Sequence, residues 1–194
     1  MKTPESRCLV AAELRAEPAA EGKLPTIVGY AAVYDSLSED LGGFREILKP
    51  GVFSRSLKSG ADVRALVDHN PSLLLGRSKA GTLRLAEDDR GLRVEIDPPN
   101  TTAARDLVEN LRLGNVSGMS FRFYVEDDAW TNDDAGPVRE VRSAAIDDVS
   151  VVTYPAYPAT EVALRSLEAH RRSQPRQTPR RSHAERLVRL ALAD

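Results

Sequence analysis

Acid–base chemistry near neutral pH calls first for an imidazole, and the chain holds three histidines, of which His170 and His183 lie in or beside an Arg- and Pro-rich stretch. A histidine base in the folded body is therefore His69, whose side-chain type titrates near about pH 6.5. Among nucleophiles the lone Cys8 lies near the start of the chain, where nothing is expected to orient or activate it, which leaves serine. Ser120 is distinctive because Gly118-Met119 precedes it at the head of an alternating apolar segment, so a small side chain leaves the backbone open to a substrate. It does not stand in a GxSxG elbow. A third role, holding the imidazole in one tautomer, needs a carboxylate. Asp147 and Asp148 are adjacent, and on a strand they point to opposite faces, so at most one serves. Periodicity does not choose: Val149 and Val151 go with Asp147, while Ile146 and Val152 go with Asp148. Each residue also has an ordinary structural reading, as a satisfied core histidine, a strand hydroxyl or a solvated acidic pair.

The elements that must position these groups are mostly strands. TIVGYAAVY (26–34), FREILK (44–49) and DVRALVDH (62–69) read as strands, the last placing His69 at the end of a row with Val63, Ala65 and Val67. GVFSRSLKSG (51–60) suits a short helix closed by Gly60. TLRLAE (82–87) and LRVEID (92–97) form a hairpin about Asp88-Asp89-Arg90-Gly91. Asn100 or Thr101 caps a helix over 102–113 that stops at Gly114. Residues 117–127 alternate Phe121, Phe123 and Val125 against Ser120, Arg122 and Tyr124. A long acidic loop, DDAWTNDDAGP, then leads to strands over 138–144 and 145–154, before Pro155 and Pro158 end the run.

The domain layout expected from composition is a loosely held arm (1–25), a folded body (26–165) and a basic tail (166–194). Residues 1–165 hold 20 basic and 26 acidic side chains and residues 166–194 hold 7 and 3, so the overall net charge of −2 conceals a switch of sign. EVALRSLEAH reads as a helix leading into the tail. Beyond it, HRRSQPRQTPRRSH has the composition of a flexible segment, and AERLVRLALAD that of an amphipathic peptide suited to a partner. One cysteine excludes an intrachain disulfide and gives no zinc-ligand cluster. No phosphate-binding glycine pattern and no EF-hand spacing occurs. The longest early apolar run, Cys8 to Ala12, is too short for a signal core or a membrane span, which predicts a cytoplasmic protein without an anchor.

Four segments taken in order, GYAAVYDSLSEDLGGFREILKPGVFSRSL (29–57), VDHNPSLLLGR (67–77), GMSFRF (118–123) and DDVSVVTYPAYPAT (147–160), resemble the prohead maturation proteases of tailed bacteriophages, relatives of the herpesvirus assemblins. The resemblance spans roughly residues 26–165. It implies an α+β protein with a β-barrel-like, antiparallel-rich core flanked by helices, acting as a serine endopeptidase. It makes His69 the base, Ser120 the nucleophile and Asp148, where the family usually has Glu, the orienting acid. Arg122 stands where glycine is common in the family. Sharing the Ser120 face, it is the candidate to hold an acidic substrate group or a developing oxyanion. No cofactor or metal is called for. The implied partners are the major capsid protein or its scaffolding segment and other protease copies, in the host cytoplasm inside an assembling procapsid, with the tail as a self-cleaved extension. Two other classes compete. One is an inert capsid scaffold on the same fold. The other is a nucleic-acid binder using the basic tail, which the acidic body and scarce aromatics disfavour.

Overall fold

The computed structural model describes residues 3–9, 13–18, 21–154 and 161–173. Its strands form two open sheets. In the larger, β1 (Glu5–Leu9), β9 (Gly118–Asp133), β10 (Gly136–Val152), β5 (Arg64–Val67) and β6 (Asn70–Arg77) follow in that order, with β4 (Arg45–Leu48) also on β10. The smaller has the order β2 (Arg15–Glu17), β3 (Thr26–Val33), β8 (Gly91–Ile96) and β7 (Leu83–Glu87). Three helices accompany them among the described residues: α1 (Ser54–Lys58), α2 (Thr102–Arg112) and α3 (Glu161–Ser173). The fold is therefore strand-rich α+β. It departs from the expected barrel, because neither sheet closes on itself among the described residues, and β10 pairs in parallel with both β4 and β5.

Alternation builds the core. Met119, Phe121 and Phe123 of β9 and Val149 and Val151 of β10 turn one face of the large sheet toward Ile27, Ala31, Leu92, Val94 and Ile96 of the small one. Phe53, just before α1, packs edge-on against Phe121 and Phe123 with ring centroids 5.7 and 6.4 Å apart. Gly91 permits the closest backbone approach in the small sheet, since a Cβ there would lie 2.0 Å from the Ala32 carbonyl oxygen. The α2 N-cap is Thr101, whose hydroxyl accepts from Ala104 N–H.

Several elements differ from the sequence reading. The stretch read as a loosely held arm supplies two strands: β1 on the large sheet and β2 on the small one. The acidic segment 127–137 is no loop. β9 and β10 continue through it as a ladder to Asp133↔Gly136, joined by a two-residue turn. Its tip is held by packing of Trp130 on Phe44, 5.2 Å between centroids, and by Leu41 and Leu167. Leu167 lies on α3, so that helix runs across the 165/166 boundary and docks on the hairpin. β6, unmarked by a clear alternation, is an edge strand and tolerates Pro71 there. The amphipathic segment 184–194 and residues 174–183 lie outside the described residues. Among those described, no helix is long and apolar enough to cross a membrane.

Candidate active site

His69 is not on a strand. β5 ends at Val67, and Asp68 and His69 form the two-residue turn into β6 with φ of 49° and 55°. Both are left-handed, the geometry of a tight hairpin turn, and Asp and His are among the non-glycine residues that accept it. Such conformations cost about 1–3 kcal/mol each and persist where neighbours hold them. Here the end of β10 does so. Asp68 N–H donates to the Val151 carbonyl at 3.0 Å, and the Asp68 carboxylate accepts from Thr153 N–H at 2.9 Å and Thr153 Oγ1 at 3.2 Å. His69 N–H donates to Ser150 Oγ at 3.2 Å. The turn, rather than strand parity with Val63 and Val67, aims the imidazole across the sheet.

Ser120 lies on β9 opposite Ser150 of β10 and opposite Cys8 of β1. Its Oγ is 2.6 Å from His69 Nε2, and His69 Nδ1 is 2.5 Å from Asp148 Oδ1. A hydroxyl, an imidazole and a carboxylate thus stand in hydrogen-bonded series. The choice between the two aspartates follows from a β-bulge. Ile146 pairs with Phe123 but Asp148 pairs with Arg122, so Asp147 is the extra residue. The bulge reverses parity along β10, which is why simple alternation could not select a carboxylate, and it turns Asp148 to the Ser120 face. Asp147 is raised above the ordinary carboxylate range, by burial first and by the Asp148 charge second.

The Asp148 carboxylate is held from several sides. Oδ1 meets His69 Nδ1 and accepts from Ser150 Oγ at 3.2 Å, while Oδ2 lies 3.4 Å from Arg122 Nη1. Arg122 is one-third exposed and, as cross-strand partner of Asp148, sits at the rim of the arrangement. Ser120 is itself 1% exposed and also lies 2.9 Å from the Arg7 carbonyl on β1. A hydroxyl has one proton, so Arg7 O and His69 Nε2 compete for it.

Chemically, the series can move a proton from Ser120 Oγ to His69 while the carboxylate stabilises the resulting imidazolium. Sequence reasoning had isolated these residue types, and the fold brings His69, Ser120, Asp148 and Arg122 together. It had missed Ser150 and the covering strand β1. Ser150 was recoverable, since it lies two residues beyond Asp148 on one strand face. β1 left no such signal, because its contact with Ser120 spans 113 residues.

With this geometry in view, the profile of the family described as caudovirus prohead serine protease matches residues 11–173. The chain belongs to that family. It is 30% identical over 144 residues to the prohead protease of Enterobacteria phage HK97, a match covering 74% of this chain and 61% of the relative; the chain thus spans about three-fifths of that protein's length. The fold is similar to the solved bacteriophage T4 capsid assembly protease, with a TM-score of 0.51 at 12% identity, covering 78% of this chain and 99% of the other. Among the described residues no cluster of His, Cys, Asp and Glu is arranged to hold a metal ion.

Proposed function

We propose that this chain is a serine endopeptidase of phage head maturation that cuts the scaffolding segment of the major capsid protein, and itself, inside the assembling procapsid. The observation that carries the proposal is the unbroken hydrogen-bonded series from Ser120 through His69 to Asp148. Family membership supports the setting. His69 takes the Ser120 proton as Oγ attacks the scissile carbonyl, Asp148 steadies the imidazolium, His69 then protonates the leaving amine, and water releases the acyl-enzyme. Arg122 spends one donor on Asp148 and has others for an acidic group on the substrate. Residues 174–194, beyond α3, serve as a targeting extension trimmed during assembly, a role motivated by their arginine-rich, net basic composition.

The test is intact mass of wild type and Ser120→Ala over hours at high protein concentration, alone and co-expressed with the capsid precursor. Trimming of chain or precursor in wild type only is the expected result. Equal trimming by folded Ser120→Ala, or none in either setting, overturns the proposal. Removing 174–194, which leaves α3 whole, should reduce incorporation into particles while retaining peptidase activity.

A further inference from the structure

We infer that Ser150 is a positioning residue of this site, tying the backbone of the base to the carboxylate that orients it. The inference deepens the peptidase reading and rests on it. Ser150 is fully buried, and its Oγ lies 3.2 Å from each of three groups: His69 N, His69 Nδ1 and Asp148 Oδ1. Donor and acceptor counting assigns their roles. The His69 backbone N–H can only donate, so Oγ accepts from it. The single hydroxyl proton goes to Asp148 Oδ1, the charged acceptor, because Nδ1–H is already committed to that carboxylate at the shorter distance of 2.5 Å.

One hydroxyl therefore fixes two coordinates of proton transfer. It pins residue 69 in the left-handed conformation that aims the ring, and it pins Oδ1 so that the carboxylate faces Nδ1. A space-filling serine would need neither bond. An alanine here leaves a buried N–H without its partner and Oδ1 with one donor fewer, and bonds to charged groups are worth about 1.5–3 kcal/mol, equivalent to roughly tenfold to hundredfold in rate. The strand register adds a second reason for its placement: Ser150 is the direct cross-strand partner of Ser120, so the nucleophile and the clamp on its base move with the same rung of the ladder.

The experiment compares wild type, Ser150→Ala and Ser150→Thr as full-length chains with two readouts. The first is the tautomer of neutral His69 from imidazole 15N shifts, assigned with His69→Gln, which needs no turnover. The second is the rate of Ser120 modification by a fluorophosphonate. Wild type should hold the Nδ1–H tautomer. Ser150→Ala should mix tautomers and react about tenfold to hundredfold more slowly, and Ser150→Thr, which keeps the hydroxyl, should recover the wild-type tautomer and much of the rate. Should Ser150→Ala fail to fold, Ser150→Cys, close in volume and a weak hydrogen bonder, takes its place with the same expectation. A folded Ser150→Ala or Ser150→Cys with unchanged tautomer populations and a rate within twofold of wild type overturns the inference. If wild type itself does not react, the peptidase reading fails, while the tautomer readout still decides the role of Ser150.

Discussion

The large sheet carries two clusters of buried polar groups, one on each face, and the clusters are built to opposite ends. On one face lie Ser120, His69, Asp148 and Ser150. On the other, Arg7 donates to Glu46 at 2.8 and 2.9 Å and to Glu5 at 2.7 Å, while Arg139 meets Glu5 at 2.9 and 3.0 Å and Asp128 at 2.5 Å. Burial alone would pull both guanidinium groups down. The charges outweigh it and hold them above their ordinary range, Glu46 and then Glu5 acting on Arg7, and Glu5, Glu46 and Asp128 on Arg139. That network is saturated with permanent charges and has nothing to exchange. The Ser120 face instead contains a proton with two possible owners and an imidazole whose side chain is 15% exposed. Strand alternation is the device that keeps them apart: Arg7 points to one side and its neighbour Cys8, the partner of Ser120, to the other. Burial of charge by itself therefore does not mark a reactive site; an unassigned proton does.

If this contrast holds, variants on the two faces should fail differently. The largest effect is expected for Ser120→Ala and His69→Ala, each lowering peptide cleavage by about four orders of magnitude or more with the melting temperature little changed. Next, Asp148→Asn should cost about 10⁴-fold through the wrong tautomer, whereas Asp147→Asn should leave kcat/KM within a few-fold; equal losses from both would erase the role given to the bulge. On the opposite face Arg139→Met leaves two buried carboxylates short of a partner, a loss of about 3–5 kcal/mol. It should lower the denaturation midpoint strongly while the folded fraction keeps its reactivity toward a fluorophosphonate. A stable but inactive Arg139→Met would merge the two clusters into one.

The smallest effect concerns surface pairs. Asp62, held down by its hydrogen bond to Arg77, and Glu95 and Asp97, held down by those to Arg84, titrate below the ordinary carboxylate range. Their contribution is therefore present above the unfolded-state value and is lost as pH falls through the lower folded-state values. Their partners Arg77 and Arg84 are exposed and the carboxylates partly so, and such surface pairs contribute little. Urea midpoints should stay flat above about pH 5 and decline below about pH 4, and replacing Arg84 with Met should flatten that decline slightly.

How much of this was legible in the sequence depended on whether the cause was local. The strand 26–34, the hairpin 82–97 and the capped helix 102–113 follow from alternation, turn chemistry and a Thr101 cap, all carried within a dozen residues. Residue types nominated His69 and Ser120, and the family resemblance pointed to Asp148 where periodicity did not choose, leaving Asp147 open. The hidden features were those set by distant partners. A bulge at Asp147 is invisible until β9 supplies the register. The acidic hairpin tip reads as a loop because its strand character comes from cross-strand bonds and from Trp130 on Phe44, not from propensity. The barrel-like core was an expectation of kinship alone, and the parallel pairing of β10 with β4 and β5 has no local signature.

The separations along the chain also set a clock. His69 lies 51 residues from Ser120 and 79 from Asp148, and the strand over the nucleophile closes across 113. Contacts so far apart in sequence must overcome loop-closure entropy before they contribute, and topologies dominated by them fold slowly. No fragment emerging from the ribosome holds a complete proton path until β10 has been made. Glu5 meets Arg139 across 134 residues, so the first strand is tied to side chains made far later than itself. Until Val152 has been made, the hydroxyl, the imidazole and the carboxylate have no sheet to bring them together.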